Sequence, residues 1–102
     1  MKIGFVGCGA IGSCYASILS KKHEVCVLDT YAPVIEAIRE NGILVDQCVP
    51  GVGTGETLAF HPAMATTDPK EIGVVDLLIV FVHYQYLEAA VRNALPMIDK
   101  HT

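Results

Sequence analysis

The chain has 102 residues, about one domain, with 52% hydrophobic and 18% charged residues and a formal net charge of −4. The acidic balance and the lack of any basic run give no footing for nucleic acid. The longest apolar run, Val74 to Val82, contains Asp76 and is far too short to cross a bilayer.

The first thirty residues organise the rest. Lys2-Ile3-Gly4-Phe5-Val6 is a short apolar run with strand character that drops directly into Gly7-Cys8-Gly9-Ala10-Ile11-Gly12, a match to G-x-G-x-x-G. A helical pattern follows, then a second apolar strand, Val25 to Leu28, ending on Asp29. Strand, glycines, helix, strand and acid in this order form the fingerprint of a dinucleotide-binding βαβ unit. Each residue type has a physical task. Gly7 turns the chain sharply out of the strand, Gly9 lets the backbone approach a pyrophosphate, and Gly12 allows close helix–sheet packing. The helix N-terminus offers free N–H groups and the positive end of its dipole to phosphate. Asp29, about 20 residues past the loop, is placed to accept hydrogen bonds from a ribose.

Beyond the loop, Ile11, Cys14, Tyr15, Ile18 and Leu19 recur at helical spacing, which predicts a helix over Ala10–Lys21 with Ser13, Ser17 and Ser20 on other faces. His23 reads as a solvated turn residue. Thr30 is expected to cap a second helix, with Pro33 in its first turn, Val34, Ile35 and Ile38 on its apolar face, and Asn41-Gly42 as its stop. Ile43-Leu44-Val45 and Glu56 to Phe60 read as strands of an antiparallel excursion joined through Pro50 to Gly55. That second glycine cluster lacks the Lys-Ser/Thr of a P-loop and reads as a hairpin connection. Ala63 to Thr66 is a further extended piece, and Asp68 to Glu71 a capped turn. Val74 to Val82 is the most apolar strand, expected beside the first strand in the middle of a parallel sheet. Its carboxyl end then faces the same crevice as the glycine loop. Leu87, Ala90, Val91, Ala94 and Leu95 describe a third helix; Tyr84 and Tyr86 either line an adenine pocket or pack, and packing is the expectation. None of the four cysteines forms a C-x-x-C pair; they read as free thiols in a reducing cytoplasm, with Cys14 and Cys26 packed as small hydrophobes. The N-terminus lacks a signal-peptide pattern, in keeping with that compartment. The fold expected is α/β: a Rossmann-type, doubly wound, mainly parallel sheet, incomplete at its C-terminal end.

The chain resembles the N-terminal cofactor domain of the ketopantoate reductase (2-dehydropantoate 2-reductase) family. The resemblance rests on Met1-Lys2-Ile3 with Gly7 to Gly12, on Ile35-Glu36-Ala37-Ile38-Arg39-Glu40-Asn41-Gly42-Ile43, and on Asp76 to Val82. It implies nicotinamide-dependent reduction of a 2-keto acid, with ketopantoate to pantoate, on the route to pantothenate, as the founding reaction. It implies cofactor contacts from Gly7, Cys8, Gly9, Ala10, Ile11, Gly12, Asp29, Val82 and His83, and no catalytic residue within these 102 positions. Members using NADP(H) typically carry Arg at the end of the second strand and Lys after the central apolar strand. This chain has Asp29 and His83 there, which favours NAD(H) over NADP(H) and is similar to the NAD-dependent D-2-hydroxyacid dehydrogenases of the D-mandelate type.

Residues 1–102 thus read as one dinucleotide-binding domain, without the helical substrate domain that the family carries. A fragment of a longer enzyme is the expectation. Such a fragment would bind nicotinamide dinucleotide weakly and turn over no 2-keto or 2-hydroxy acid unaided. The alternative is a stand-alone dinucleotide-sensing module that performs no chemistry. Val74 to Val82 would lie at a sheet edge with this truncation, an arrangement that invites self-association. Nucleic-acid and membrane partners are not expected.

Overall fold

The computed structural model describes residues 1–7, 10–46 and 57–102, with the backbone alone at 10–13, 45, 46, 57 and 58. Its centre is a four-stranded parallel sheet. The first strand, β1 (Lys2–Val6), pairs on one side with β2 (Glu24–Leu28) and on the other with β6 (Leu77–Val80). Strand β5 (Met64–Thr66) adds to the outer side of β2, giving the order β5-β2-β1-β6. The expected extended piece at 63–66 is therefore a sheet strand. The apolar 74–82 run pairs with β1 as expected and, as expected for a sheet that stops here, occupies an edge of the described sheet. Strands β3 (Ile43–Asp46) and β4 (Thr57–Phe60) form the anticipated antiparallel pair as a separate ribbon. Their connection, including the second glycine cluster, lies outside the described residues.

Alternation along the strands sorts side chains to two cores, because successive residues point to opposite faces. Ile3, Phe5, Val25, Val27 and Ala65 face helices α1 (Ala10–Leu19) and α2 (Ala32–Asn41), meeting Ala16, Ile35 and Ile38. Val6, Cys26 and Leu28 face the other way, toward Ile72, Val75, Ala94 and Met97. These come from the short helix α3 (Pro69–Ile72), the approach to β6, and the end of α4 (Leu87–Asn93) with the 3-10 turn after it. Both sheet faces are covered, which is why the strands read as continuous apolar runs.

Several local expectations change. Helix α1 ends at Leu19, and Lys22 and His23 both donate backbone N–H groups to the Leu19 carbonyl. Its buried face carries Ala16 and Ser17, while Tyr15 is 52% and Ile18 57% exposed. Small residues face the sheet, so the helix can approach it closely, and Ser17 Oγ donates to the Cys14 carbonyl at 2.7 Å. Cys14 is exposed, whereas Cys26 is buried; both are free thiols. His23 is half-buried, and its Nδ1 is shut away from solvent without a partner among the described residues. Helix α2 starts without a Thr30 cap. Asp29 Oδ1 instead accepts from the Tyr31 N–H at 3.0 Å. The helix stops as expected at Gly42, whose φ of 75° lets its N–H return to the Ile38 carbonyl. Arg39 Nε donates to the Ala65 carbonyl at 2.7 Å, occupying part of the free edge of β5. Asp68 caps α3 by accepting from the Lys70 N–H at 2.9 Å, as the sequence suggests.

Candidate functional site

A cleft of about 400 Å³ opens at the carboxyl ends of β2, β1 and β6. The strand ends contribute Val6, Gly7 and Leu28, then Asp29 and Thr30 beyond β2 and Phe81, Val82 and His83 beyond β6. Tyr86, Ala89, Ala90 and Asn93 complete the lining from the first turn and one side of α4. Its size and mixed apolar and polar lining suit a small-molecule ligand.

The three strand ends converge because the sheet is parallel and in register. Val6 lies opposite Leu28 on one side and Val80 on the other, so the residues after each strand emerge side by side. Gly7 is held from both neighbours: its N–H donates to the Leu28 carbonyl at 3.0 Å, and the Phe81 N–H donates to the Val6 carbonyl at 2.9 Å. Gly7 has φ of 86°, and a Cβ there would run into the Phe81 carbonyl oxygen. Only glycine fits this turn without strain. Helix α1 begins at Ala10, so its amino end opens within three positions of Gly7. Ala10, Ile11 and Gly12 form its first turn; Cys8 and Gly9 lie outside the described residues.

Asp29 sits half-buried at the end of β2, its own N–H donating to the Thr66 carbonyl at 3.2 Å. With Oδ1 engaged by the Tyr31 N–H, the carboxylate is oriented by its own backbone. Oδ2 has no partner among the described residues and keeps its acceptor capacity. Across β1, about two strand spacings or about 10 Å away, His83 is exposed on the cleft rim. Its carbonyl accepts from the Tyr86 N–H at 2.8 Å, which fixes the turn that carries it. Val82 is half-buried beside it. Gly7, Asp29, Val82 and His83 thus share one cleft, far apart as they are in sequence.

The α4 contribution is what sequence reasoning missed. Leu87 and Leu95, expected on its packed face, are 45% and 57% exposed, while Ala94 and Met97 are fully buried. The cleft side is instead Tyr86, Ala89, Ala90 and Asn93, which recur at i, i+3, i+4 and i+7. Small residues at that spacing, framed by an aromatic and an amide, are a readable sign of a helix face left open for a ligand. Tyr84 does not pack, being 89% exposed, and Tyr86 lies on the cleft. Phe81 is tied into the core by stacking on Phe5 and Tyr15, with ring centroids 6.3 and 5.6 Å apart. Among the described residues no group of His, Cys, Asp and Glu could hold a metal ion.

Comparison with known proteins agrees with this architecture. A 2-dehydropantoate 2-reductase from Lactococcus lactis is 30% identical over 106 residues, covering all of this chain and 31% of that protein. The crystal structure of 2-dehydropantoate 2-reductase from Porphyromonas gingivalis superposes with a TM-score of 0.82 at 27% identity, covering 100% of this chain and 36% of that one. A ternary structure of D-mandelate dehydrogenase with NADH and anilino(oxo)acetate gives a TM-score of 0.84 at 28% identity, covering 100% and 31%. The chain spans about a third of the length of these relatives. The family model described as ketopantoate reductase PanE/ApbA matches residues 3–102, from the first strand to the last residue, and the chain belongs to that family.

Proposed function

We propose that the chain is the dinucleotide-binding part of an oxidoreductase that interconverts a 2-keto acid and its 2-hydroxy acid, with NAD(H) preferred over NADP(H). The observation that carries the cofactor assignment is the Asp29 carboxylate, oriented by Tyr31 and offering Oδ2 in the same cleft as Gly7. A dinucleotide fits these residues. The left-handed turn at Gly7 carries the chain out of β1, and the start of α1 supplies donors for a pyrophosphate. The backbone of Ala10 to Gly12, the first turn of α1, lies beside that turn. Asp29 reads a ribose diol through accepted hydrogen bonds, and its charge repels a 2′-phosphate. Tyr86, Ala89, Ala90 and Asn93 offer a slot for a planar base, and Val82 and His83 border it.

When bound, the reduced nicotinamide supplies the hydride, and the substrate takes up that hydride and one proton to become the hydroxy acid. These residues contribute binding and orientation only. The substrate class is carried over from two relatives, one named for 2-dehydropantoate and one solved with anilino(oxo)acetate, both carrying a carbonyl beside a carboxylate. Residues 1–102 act as one cofactor domain, and contacts to the acid come from a further, helical domain. No helix among the described residues is long and apolar enough to cross a membrane, and we place the enzyme in the cytoplasm. The test is a paired titration with NADH and NADPH, followed by nicotinamide fluorescence. Tighter NADH binding supports the assignment. Tighter NADPH binding overturns the Asp29 reading, and binding of neither overturns the cofactor site.

A further inference from the structure

A second groove, of about 380 Å³, runs along the outer edge of β5 and shares no lining residue with the cleft. It straddles that edge. Helix α2, on one face of the sheet, supplies Ile38 and Arg39, and α3, on the other, supplies Glu71. The two opposite charges are each tied to β5 and not to each other. Arg39 Nε donates to the Ala65 carbonyl at 2.7 Å, which orients the guanidinium, and its Nη groups have no partner among the described residues. Glu71 Oε1 accepts from the hydroxyl of the buried Thr66 at 2.5 Å, and Oε2 has no partner among the described residues. Among those residues the Arg92–Glu88 contact is the one ion pair, so Arg39 and Glu71 face the groove without joining. Their anchors are successive residues of one strand, about 3.8 Å apart, so one small molecule can reach both charges. His61, whose ring lies against Gly42 at the end of α2, adds a ring donor to the same lining.

We propose that this groove is a binding site for a free aliphatic α-amino acid: Arg39 takes the carboxylate, Glu71 the ammonium, and Ile38, Pro62 and Met64 meet the side chain. The Nη edge of an arginine already held through Nε matches a carboxylate. A simple anion would gain Arg39 but meet Glu71, and a simple amine the reverse; a zwitterion satisfies both. A strand added from another chain is not accommodated, because Arg39 already occupies the Ala65 carbonyl that such a strand would use.

The test is a ligand-observed NMR titration of the full-length protein with L-leucine and with its two halves, 4-methylpentanoate and 3-methylbutylamine. L-Leucine should bind with Kd on the order of 1 mM, at least about fivefold more tightly than either half, the factor that one exposed charge pair carries. Arg39→Gln and Glu71→Gln should each weaken L-leucine by about fivefold. Glu71→Gln should leave the thermal unfolding midpoint unchanged, since its amide oxygen still accepts from Thr66; if Arg39→Gln lowers stability, Glu71→Gln decides alone. No binding of L-leucine, equal affinity for L-leucine and 4-methylpentanoate, or wild-type affinity in Glu71→Gln overturns the proposal. The dinucleotide site stands or falls separately, by its own titration.

Discussion

The two ends of the parallel sheet are built on opposite plans. At the amino ends of the strands the chain bonds to itself. Asp76 Oδ2 accepts from the Lys2 N–H at 2.7 Å while the Asp76 N–H returns to the Lys2 carbonyl at 2.8 Å. The Glu24 N–H reaches the Met1 carbonyl, Val75 donates to the Met97 carbonyl, and Thr102 Oγ1 donates to the Val75 carbonyl. Lys2 Nζ closes the corner by donating to the Ile72 carbonyl. At the carboxyl ends, by contrast, Asp29 Oδ2 has no partner among the described residues and His83 stands exposed on an open cleft. One end spends its polar groups on folding, and the other leaves them on an open cleft. This is the general rule for open α/β sheets, whose ligands sit outside the carboxyl ends of the strands.

The comparison breaks most sharply under substitution of the closed end's core. Met97 is fully buried at the closed end, its carbonyl accepting from the Val75 N–H and its side chain lying against Gly4. Met97→Ala should cost about 2–5 kcal/mol of stability, read by urea unfolding, while dinucleotide affinity of the folded fraction stays unchanged. A large affinity change would mean that the two ends are coupled.

Gly7→Ala comes next and should damage both properties. The backbone strain and the collision with the Phe81 carbonyl should cost about 2–3 kcal/mol and abolish measurable NADH binding. Wild-type binding by Gly7→Ala would remove Gly7 from the site. Asp29→Ala isolates the open end. It should weaken NADH by about tenfold or more, in line with about 1.5–3 kcal/mol for hydrogen bonds to a charged group, and reduce the discrimination against NADPH. Stability should change by less than about 1 kcal/mol, the loss of one turn-capping bond. An unchanged NADH-to-NADPH ratio would sink Asp29 as the selector.

The smallest effect concerns the cysteines. Burial holds the Cys26 thiol above the ordinary value, nearby Glu24 pushing the same way and Lys2 opposing. The unfolded chain therefore loses this proton first, so stability is full below the ordinary thiol value of about 8.5 and falls as pH rises through it toward the folded value. Cys26→Ala should flatten that alkaline slope. Exposed Cys14 should alkylate well ahead of Cys26, and equal rates, read by mass spectrometry, would contradict the packing.

Much of this was legible in the chain itself. The turn at Gly7 and the places of Asp29 and His83 at strand ends follow from local patterns, because a tight turn selects glycine and a short apolar run marks where a strand stops. The helix faces were less so. Periodicity counts apolar residues and assigns Tyr15, Ile18, Leu87 and Leu95 to packed faces, yet all are substantially exposed. The packed face of α1 uses Ala16 and Ser17 instead, since close helix–sheet contact selects for small side chains. Asn93 escaped notice because an amide on a helix looks like an ordinary surface residue until a cleft is seen beside it.

By itself the sequence determined the βαβ unit, its glycine turn, the parallel pairing of the apolar 77–80 segment with the first strand, and the stop at Gly42. These depend on backbone conformation and short-range pattern, which are written locally. Only the tertiary structure decided that Met64–Thr66 joins the sheet and that α4 and the turn before it bring Tyr86, Ala89, Ala90 and Asn93 to the cleft that Asp29 lines. Those outcomes depend on which distant surfaces meet. Strand order and helix rotation are settled by packing between segments far apart in the chain, and no short window of sequence contains both partners.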